Sequence, residues 1–430
     1  MNRKPWLAII LTLSLPAAAA FATVIGTNVP ATPLTTERVA NLPAWKNYLD
    51  HSVRQRQADQ DFFHSELKAH HLTQSSLPPY SPNPRGTPLD MPDGWYARPE
   101  SRHIADCVIS FQTPAGGWSK HTDFTKHLRA PGEAFAMDNS SHLVSSNDFD
   151  IPTDVNWNYI GTFDNNATYT ELSFIAKVIT ANPGATNAPA WRAAFFHGLD
   201  YIIAAQFPNG GWPQVWPLQG GYHDEITFND DAMLHAIELM QQVAAGQDEF
   251  AFVPAELRAR AAASFQRGLA CLLAAQTVVH GQRTIWAQQN DALTLQPASA
   301  RNYEMPALAS GESGTIVLFL MQLPDPDSNV VAAVRGAVAW FKKTAIMDYA
   351  YARKGGERKL VASPGSGPIW SRYYEIGTDR PIFGDRDKSI HDDVNELSRE
   401  RRNGYGWYGD TGKRVIEHYS LWSKRHPERE

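Results

Sequence analysis

Two kinds of side chain recur where they could act together. The first is acidic or amide. Asp164 and Asn165 lie in Thr-Phe-Asp-Asn-Asn-Ala-Thr (162–168), and Asn229, Asp230 and Asp231 lie in Ile-Thr-Phe-Asn-Asp-Asp-Ala-Met (226–233). Carboxylate and amide oxygens brought together are what a hard cation such as Ca2+ requires. The same residue types are favoured helix N-caps, so capping alone also accounts for them. Three in a row at 229–231 are more than one cap needs. The second kind is basic. Lys120, Arg301, Arg372, Arg380, Arg386, Arg401 and Arg402 sit in loops bounded by Gly, Pro, Tyr and Trp. Arginines so placed present forked donors to carboxylates. Each one singly fits a solvated charge or an internal ion pair. The set, with Trp118 as a stacking face beside Lys120, fits a groove for an acidic polymer.

The elements that position these residues form a repeat. Ile104–Gln112 is an apolar helical run that ends in Gly116-Gly117-Trp118. Leu199–Gln206 ends in Gly210-Gly211-Trp212, and Leu269–Gln276 leads to Trp286. A degenerate fourth copy is Val338–Phe341 with Trp370 after a long loop. A second helix follows each of the first three loops, beginning near Asp164, Asn229 and Gly311. A helical hairpin cannot bury its apolar face alone, so repeated hairpins stack or close into a ring. The expected fold is all-α, an α/α toroid or partial toroid. The Asp/Asn helix starts would share one end with the Gly/Trp loops.

Composition narrows the rest. The chain has 430 residues, 43% hydrophobic and 11% aromatic, which excludes wholesale disorder. A net charge of −6 argues against nucleic-acid binding, which rests on a basic surface. Any anion must therefore be held by a local basic pocket. The N-terminus carries Arg3 and Lys4, an apolar run from Trp6 to Leu15, and Ala20-Phe21-Ala22. That pattern is a secretory signal peptide cleaved after Ala22, and it predicts a periplasmic or secreted protein with no membrane segment after cleavage. Residues 23–35 read as a linker, and residues 36–430 as one toroid domain with a helical extension over 36–72. Cys107 and Cys271 lie in apolar helical runs and read as buried thiols or a single disulfide. No phosphate-binding loop, His-Glu-x-x-His or Gly-x-Ser-x-Gly is present.

Eight runs, in order, resemble family 10 polysaccharide lyases, the pectate lyases. Four are Gly-Gly-Trp-Ser-Lys (116–120), the two acidic runs above, and Gln-Phe-Pro-Asn-Gly-Gly-Trp-Pro-Gln (206–214). The others are Ala-Arg-Asn-Tyr-Glu-Met-Pro (300–306), Trp-Ser-Arg-Tyr-Tyr-Glu (370–375), Arg-Pro-Ile-Phe-Gly-Asp-Arg-Asp (380–387) and Arg-Asn-Gly-Tyr-Gly-Trp-Tyr-Gly (402–409). The resemblance implies an irregular (α/α)3 toroid and Ca2+-dependent β-elimination of α-1,4-polygalacturonate. It implies calcium and substrate-carboxylate positions at Asp164, Asn165 and Asp230, with Asp231 as the alternative to Asp230, and a catalytic base at Arg386. Lys120, Arg301, Arg372 and Arg401 or Arg402 become carboxylate binders. The substrate would be polygalacturonate or an oligogalacturonate, and the protein a monomer. Asn290 stands where the family usually has His, and Lys388 where Gly is common.

An arginine base is chemically demanding, because the free guanidinium pKa exceeds about 12. Neighbouring cations would lower it, which predicts an alkaline rate optimum. Three rival readings remain at this level. Asp164 and Asp230 could be the acid/base pair of an inverting glycoside hydrolase. The Gln-x-x-x-Gly-x-Trp spacing echoes terpenoid cyclases, whose acidic motif is absent. A non-catalytic oligogalacturonate binder would keep the groove without turnover.

Overall fold

The computed structural model describes residues 23–427 except 84–85, 137–148 and 150–160. The expected signal peptide, residues 1–22, lies outside the described residues.

Among the described residues, four helical hairpins carry the fold. Their outer helices are α2 (Pro99–Ser110), α4 (Ala188–Ala205), α6 (Ala255–Ala274) and α8 (Ser328–Lys343). Their inner helices are α3 (Tyr169–Ala181), α5 (Ala232–Ala245), α7 (Ser310–Gln322) and α10 (Thr411–Arg425). A short helix α9 (Arg399–Gly404) precedes α10, and a long helix α1 (Pro43–Ala69) precedes them all. Proline in the first turn pre-sets the backbone of α1, α2 and α4. Asp327 caps α8 by accepting from the Val330 amide. The inner helices α3 and α7 are apolar nearly all round and buried, as the centre of an α/α toroid demands.

The repeated residues explain how one hairpin locks to the next. Each loop tryptophan donates its indole N–H to a carbonyl near the end of its own outer helix. Trp118 donates to Val108, Trp212 to Ile202, Trp286 to Leu272 and Trp370 to Phe341. Each repeat glutamine bridges its own loop and the next outer helix. Gln112 donates to Gly116 and Ala194, Gln206 to Gly210 and Ser264, and Gln276 to Thr284 and Ala333. The fourth hairpin has no successor, and Thr344 follows its outer helix in place of a glutamine. Gly116 and Gly210 adopt left-handed φ of 109° and 96°, and both lie against the next outer helix. A Cβ at Gly116 would sit 2.6 Å from the His197 carbonyl, so only glycine fits.

The remaining chain wraps this frame. Helix α1 packs Trp45 and Tyr48 on Phe207, and Tyr48 donates to the Ala205 carbonyl. Residues 23–35, read from composition as a linker, contain a strand at Val24–Thr27 that pairs antiparallel with Ser389–His391. Cys107 and Cys271 are buried free thiols. Among the described residues no helix is long and apolar enough to cross a membrane.

Candidate active site

One wall of the site comes from the starts of the inner helices. In each of the first three hairpins a two-residue strand leads into the helix: Gly161–Thr162, Ile226–Thr227 and Leu308–Ala309. The third residue past each strand is Asn165, Asp230 and Glu312 respectively. Asn165 and Asp230 hold left-handed φ of 53° and 51°, a conformation that Asn and Asp tolerate better than most residues. The preceding pair, Asp164 and Asn229, is buried. Lys120 donates its ammonium to Asp164 Oδ2.

The Asp164 and Asp230 carboxyls hydrogen-bond to each other, and their protonation is pushed apart. Burial raises Asp164, but the Lys120 charge and hydrogen bond, with Arg301 behind them, hold it well below the usual carboxylate range. Asp230 moves up, because its surroundings desolvate it and the Asp164 charge disfavours a second anion. Among the described residues, Asp164 Oδ1 is buried without a hydrogen-bond donor. Among the described residues no group of three His, Cys, Asp or Glu side chains is placed to hold a metal. Two carboxyls in contact, one orphaned carboxylate oxygen and the neighbouring Asn165 amide fit a hard, oxygen-seeking cation that takes its remaining ligands from water or substrate.

The other wall is basic and comes from loops, a link between short strands and the helix α9. Arg301 forks onto Glu304, with Nε–Oε2 at 2.8 Å and Nη2–Oε1 at 2.5 Å. Arg372 donates Nη2 to Glu312 Oε1 at 2.6 Å and to Asn229 Oδ1 at 3.0 Å, which ties the two walls together. Burial works against both charges, yet Glu304 and Glu312 hold the two guanidinium groups well above their ordinary pKa. Glu304 in turn is drawn down to about 2, its burial outweighed by Arg301.

Arg386 and Arg401 share a third carboxylate. Glu400 accepts from Arg386 Nε at 3.0 Å and Nη2 at 3.3 Å, and from Arg401 Nη2 at 2.9 Å. The Tyr303 ring lies under both guanidinium groups, 5.4 Å from Arg386 and 4.2 Å from Arg401. Tyr405 donates to Glu304 at 2.6 Å and meets the Tyr373 hydroxyl at 2.7 Å, and Tyr373 donates to Gln288. This hydroxyl chain fixes the aromatic floor beneath four arginines.

Two expected site residues fall elsewhere. Trp118 is fully buried and serves as a packing and hydrogen-bonding element of the first hairpin, not as a stacking surface. Arg402 turns away from Arg401 and gives its fork to the Asn395 and Leu397 carbonyls and to Glu357, so it is structural. Arg380 forms exposed pairs with Glu375 and Asp392.

The structure adds residues that sequence reading missed. His223 is buried near Asp164, Lys120 and Arg301; burial drives its pKa down to about 3, so it is neutral. Asn28 is buried, donates to the Arg301 and Asn302 carbonyls, and uses its amide N–H on Lys388. Asn302 donates to the Arg386 carbonyl at 2.9 Å. The N-terminal segment therefore clamps both arginine loops. The third-residue rule would have found Glu312, whereas nothing local marks Asn28.

Comparison with known proteins places this arrangement. The pectic acid lyase family model matches residues 112–416. A family 10 polysaccharide lyase from Cellvibrio cellulosa is 31% identical at a TM-score of 0.64, covering 79% of this chain and 99% of that one. A mutant of the family 10 polysaccharide lyase from Cellvibrio cellulosa, in complex with trigalacturonic acid, is 30% identical at a TM-score of 0.63 over 78% of this chain and 98% of that one. No curated protein matches the chain. With its toroid of helical hairpins and its arginine-lined site, the chain belongs to the pectic acid lyase family and is a polysaccharide lyase.

Proposed function

We propose that the enzyme cleaves polygalacturonate by Ca2+-dependent β-elimination, leaving a 4,5-unsaturated uronate at the new non-reducing end. The observation that carries this reading is the facing of two unlike walls: a carboxyl pair in contact with an orphaned oxygen, and four arginines over a tyrosine floor. A Ca2+ ion held by Asp164, Asn165 and Asp230 would neutralise a substrate carboxylate and stabilise the charge that builds beside C5.

The residues divide the remaining work. Arg301 and Arg372 are permanent cations, locked by buried carboxylates, and they hold uronate carboxylates without giving up protons. Arg386 is different, because Glu400, which accepts its hydrogen bonds, is 58% exposed in its side chain. The Arg386 side chain is itself 37% exposed, and an exposed ion pair is worth only about 0–1 kcal/mol, so entering substrate can displace Glu400 from Arg386. Arg386, having given its own proton to solvent, acts as the neutral guanidine: it takes the C5 proton and becomes guanidinium, the C4–C5 double bond forms, and the C4 oxygen leaves with a proton from water. Because the base must be deprotonated, the rate rises with pH toward an alkaline optimum.

The hydrolase reading is disfavoured by geometry. An inverting pair stands about 6.5–9.5 Å apart and a retaining pair about 5 Å, whereas Asp164 and Asp230 are in direct hydrogen-bond contact. We further propose export by the N-terminal signal and action as a monomer.

The test is near-UV absorbance on polygalacturonate, with Ca2+ and with EDTA, from pH 5 to 10. Absorbance that rises at alkaline pH and is abolished by EDTA supports the reading. New reducing ends without absorbance, or a rate maximum near pH 5, would refute it.

A further inference from the structure

The hairpin formed by Tyr349–Lys354 and Glu357–Ala362 lies outside the helices of the toroid. It is the longest strand pair among the described residues, and its turn is Gly355-Gly356. Tyr351 and Leu360, opposite each other in register, pack on the smaller hydrophobic cluster around Trp407. One step further out on that face, Arg353 stands directly opposite Arg358. Lys354 and Lys359 lie beside them on the other face. Like charges directly opposite each other destabilise a strand pair. Against these four basic residues the hairpin has one acid, Glu357, and that acid already serves three cations. It receives Arg402 at 2.6 Å, Arg399 at 3.5 Å and Lys359 at 3.9 Å. Among the described residues, Arg353, Lys354 and Arg358 have no carboxylate partner. Such a cationic tip on a chain of net charge −6 is a local feature, not an extension of a basic surface.

Its location gives the tip a use. The hairpin is fastened to α9: the Arg358 amide donates to Asn403 at 2.7 Å, and Tyr351 donates to the Arg402 carbonyl at 2.5 Å. The same six-residue helix, about 9 Å long, carries Glu400 and Arg401 on its cleft side. Consecutive residues thus face the two regions, Arg401 the cleft and Arg402 the hairpin.

We propose that this hairpin is a second holding site for the substrate polymer, an arm that grips polyanionic uronate chain running beyond the cleft. The inference rests on the reading of the cleft as a polygalacturonate site. The arm makes charge contacts only, each weak, and it works by keeping a tethered chain near the cleft at high local concentration. Its effect must therefore appear with polymer, vanish with a ligand short enough to lie inside the cleft, and weaken with salt.

The experiment compares wild type with R353S/K354S/R358S on polygalacturonate and on trigalacturonate at two NaCl concentrations. The expected result is a polymer KM raised about fivefold or more in the variant, kcat and trigalacturonate kinetics unchanged within twofold, and a flatter salt dependence. A polymer KM unchanged at low salt, or an equal rise on both substrates, overturns the proposal. If the triple variant is poorly folded, the exposed tip pair R353S/K354S is scored by the same criteria. Affinity electrophoresis in gels containing polygalacturonate separates the two levels of the argument. An enzyme inactive on both substrates but retarded by polymer, with the retardation lost in the variant, would retain the arm and reject the elimination reading. Equal retardation of wild type and variant would reject the arm alone.

Discussion

The two walls of the cleft are held by different means. On the acidic wall, Asp164 and Asp230 sit in turns whose left-handed residues are fixed between a strand and an inner helix. Their geometry is set by the hairpin repeat itself. On the basic wall, Arg301 and Arg386 come from loops, Arg372 from a link between two-residue strands and Arg401 from the short helix α9, and their geometry is set by carboxylates and tyrosine rings. Even within that wall there is a gradient. Arg301 and Arg372 are paired with Glu304 and Glu312, which are nearly inaccessible to water, whereas Arg386 is paired with the exposed Glu400. A buried pair cannot be broken cheaply, and an exposed one can. On the proposed mechanism, the rigid cations would hold substrate and the exchangeable one would serve the proton transfer.

This contrast can be broken from either side. The largest effect is expected at the rigid wall. Asp164→Ala removes the shared carboxyl and the Lys120 partner together, and should cut kcat/KM by about a thousandfold, the scale for losing a preorganised electrostatic group; near-UV kinetics measure it. A much smaller effect is expected from the exchangeable pair. Glu400→Gln removes the competing carboxylate, and the KM for trigalacturonate should fall about threefold, less than the 1.4 kcal/mol that corresponds to a factor of ten. A KM that rises instead would mean that Glu400 orients the arginines and is not displaced.

The smallest effect lies outside both walls. Asp59 on α1 is 1% exposed, has an orphaned Oδ2, and is pushed up to about 7 by burial. The folded state therefore holds a proton that the unfolded chain releases near pH 4, so stability falls as pH rises from about 4 to 7 and stays lowered above that. Asp59→Asn should raise Tm by about 2 °C or more at pH 8 and leave it unchanged at pH 4. Thermal melts at the two pH values, with unaltered kinetics, check this.

The acidic wall was legible because it repeats. Two copies of an Asp/Asn run before an apolar helix pointed to Asn165 and Asp230. Glu312 escaped because its copy begins Ser-Gly-Glu and reads as an ordinary helix start. The repeat also bears on Trp118. A tryptophan that recurs at 212, 286 and 370 is a structural element of every hairpin, and a substrate contact would belong to one. The basic wall was legible only through its motifs. Arg401 and Arg402 could not be separated by sequence, since neighbours on a helix point about 100° apart and nothing local says which faces the cleft. The strand at Val24–Thr27 was missed for a different reason. Its partner, Ser389–His391, lies more than 360 residues away, and four residues carry no periodicity. Long-range pairing of this kind leaves no local trace.

Arg386 is the residue on which the proposed elimination depends most directly. Its replacement by alanine or lysine should be assayed by near-UV absorbance on polygalacturonate, with trigalacturonate affinity measured on the same preparations. The expected result for Arg386→Ala is a kcat lowered by about a thousandfold or more, within the range for a lost general base, with affinity kept within threefold because Arg301, Arg372 and Arg401 remain. Turnover within tenfold of wild type, with intact binding, would contradict the assignment of Arg386 as the base.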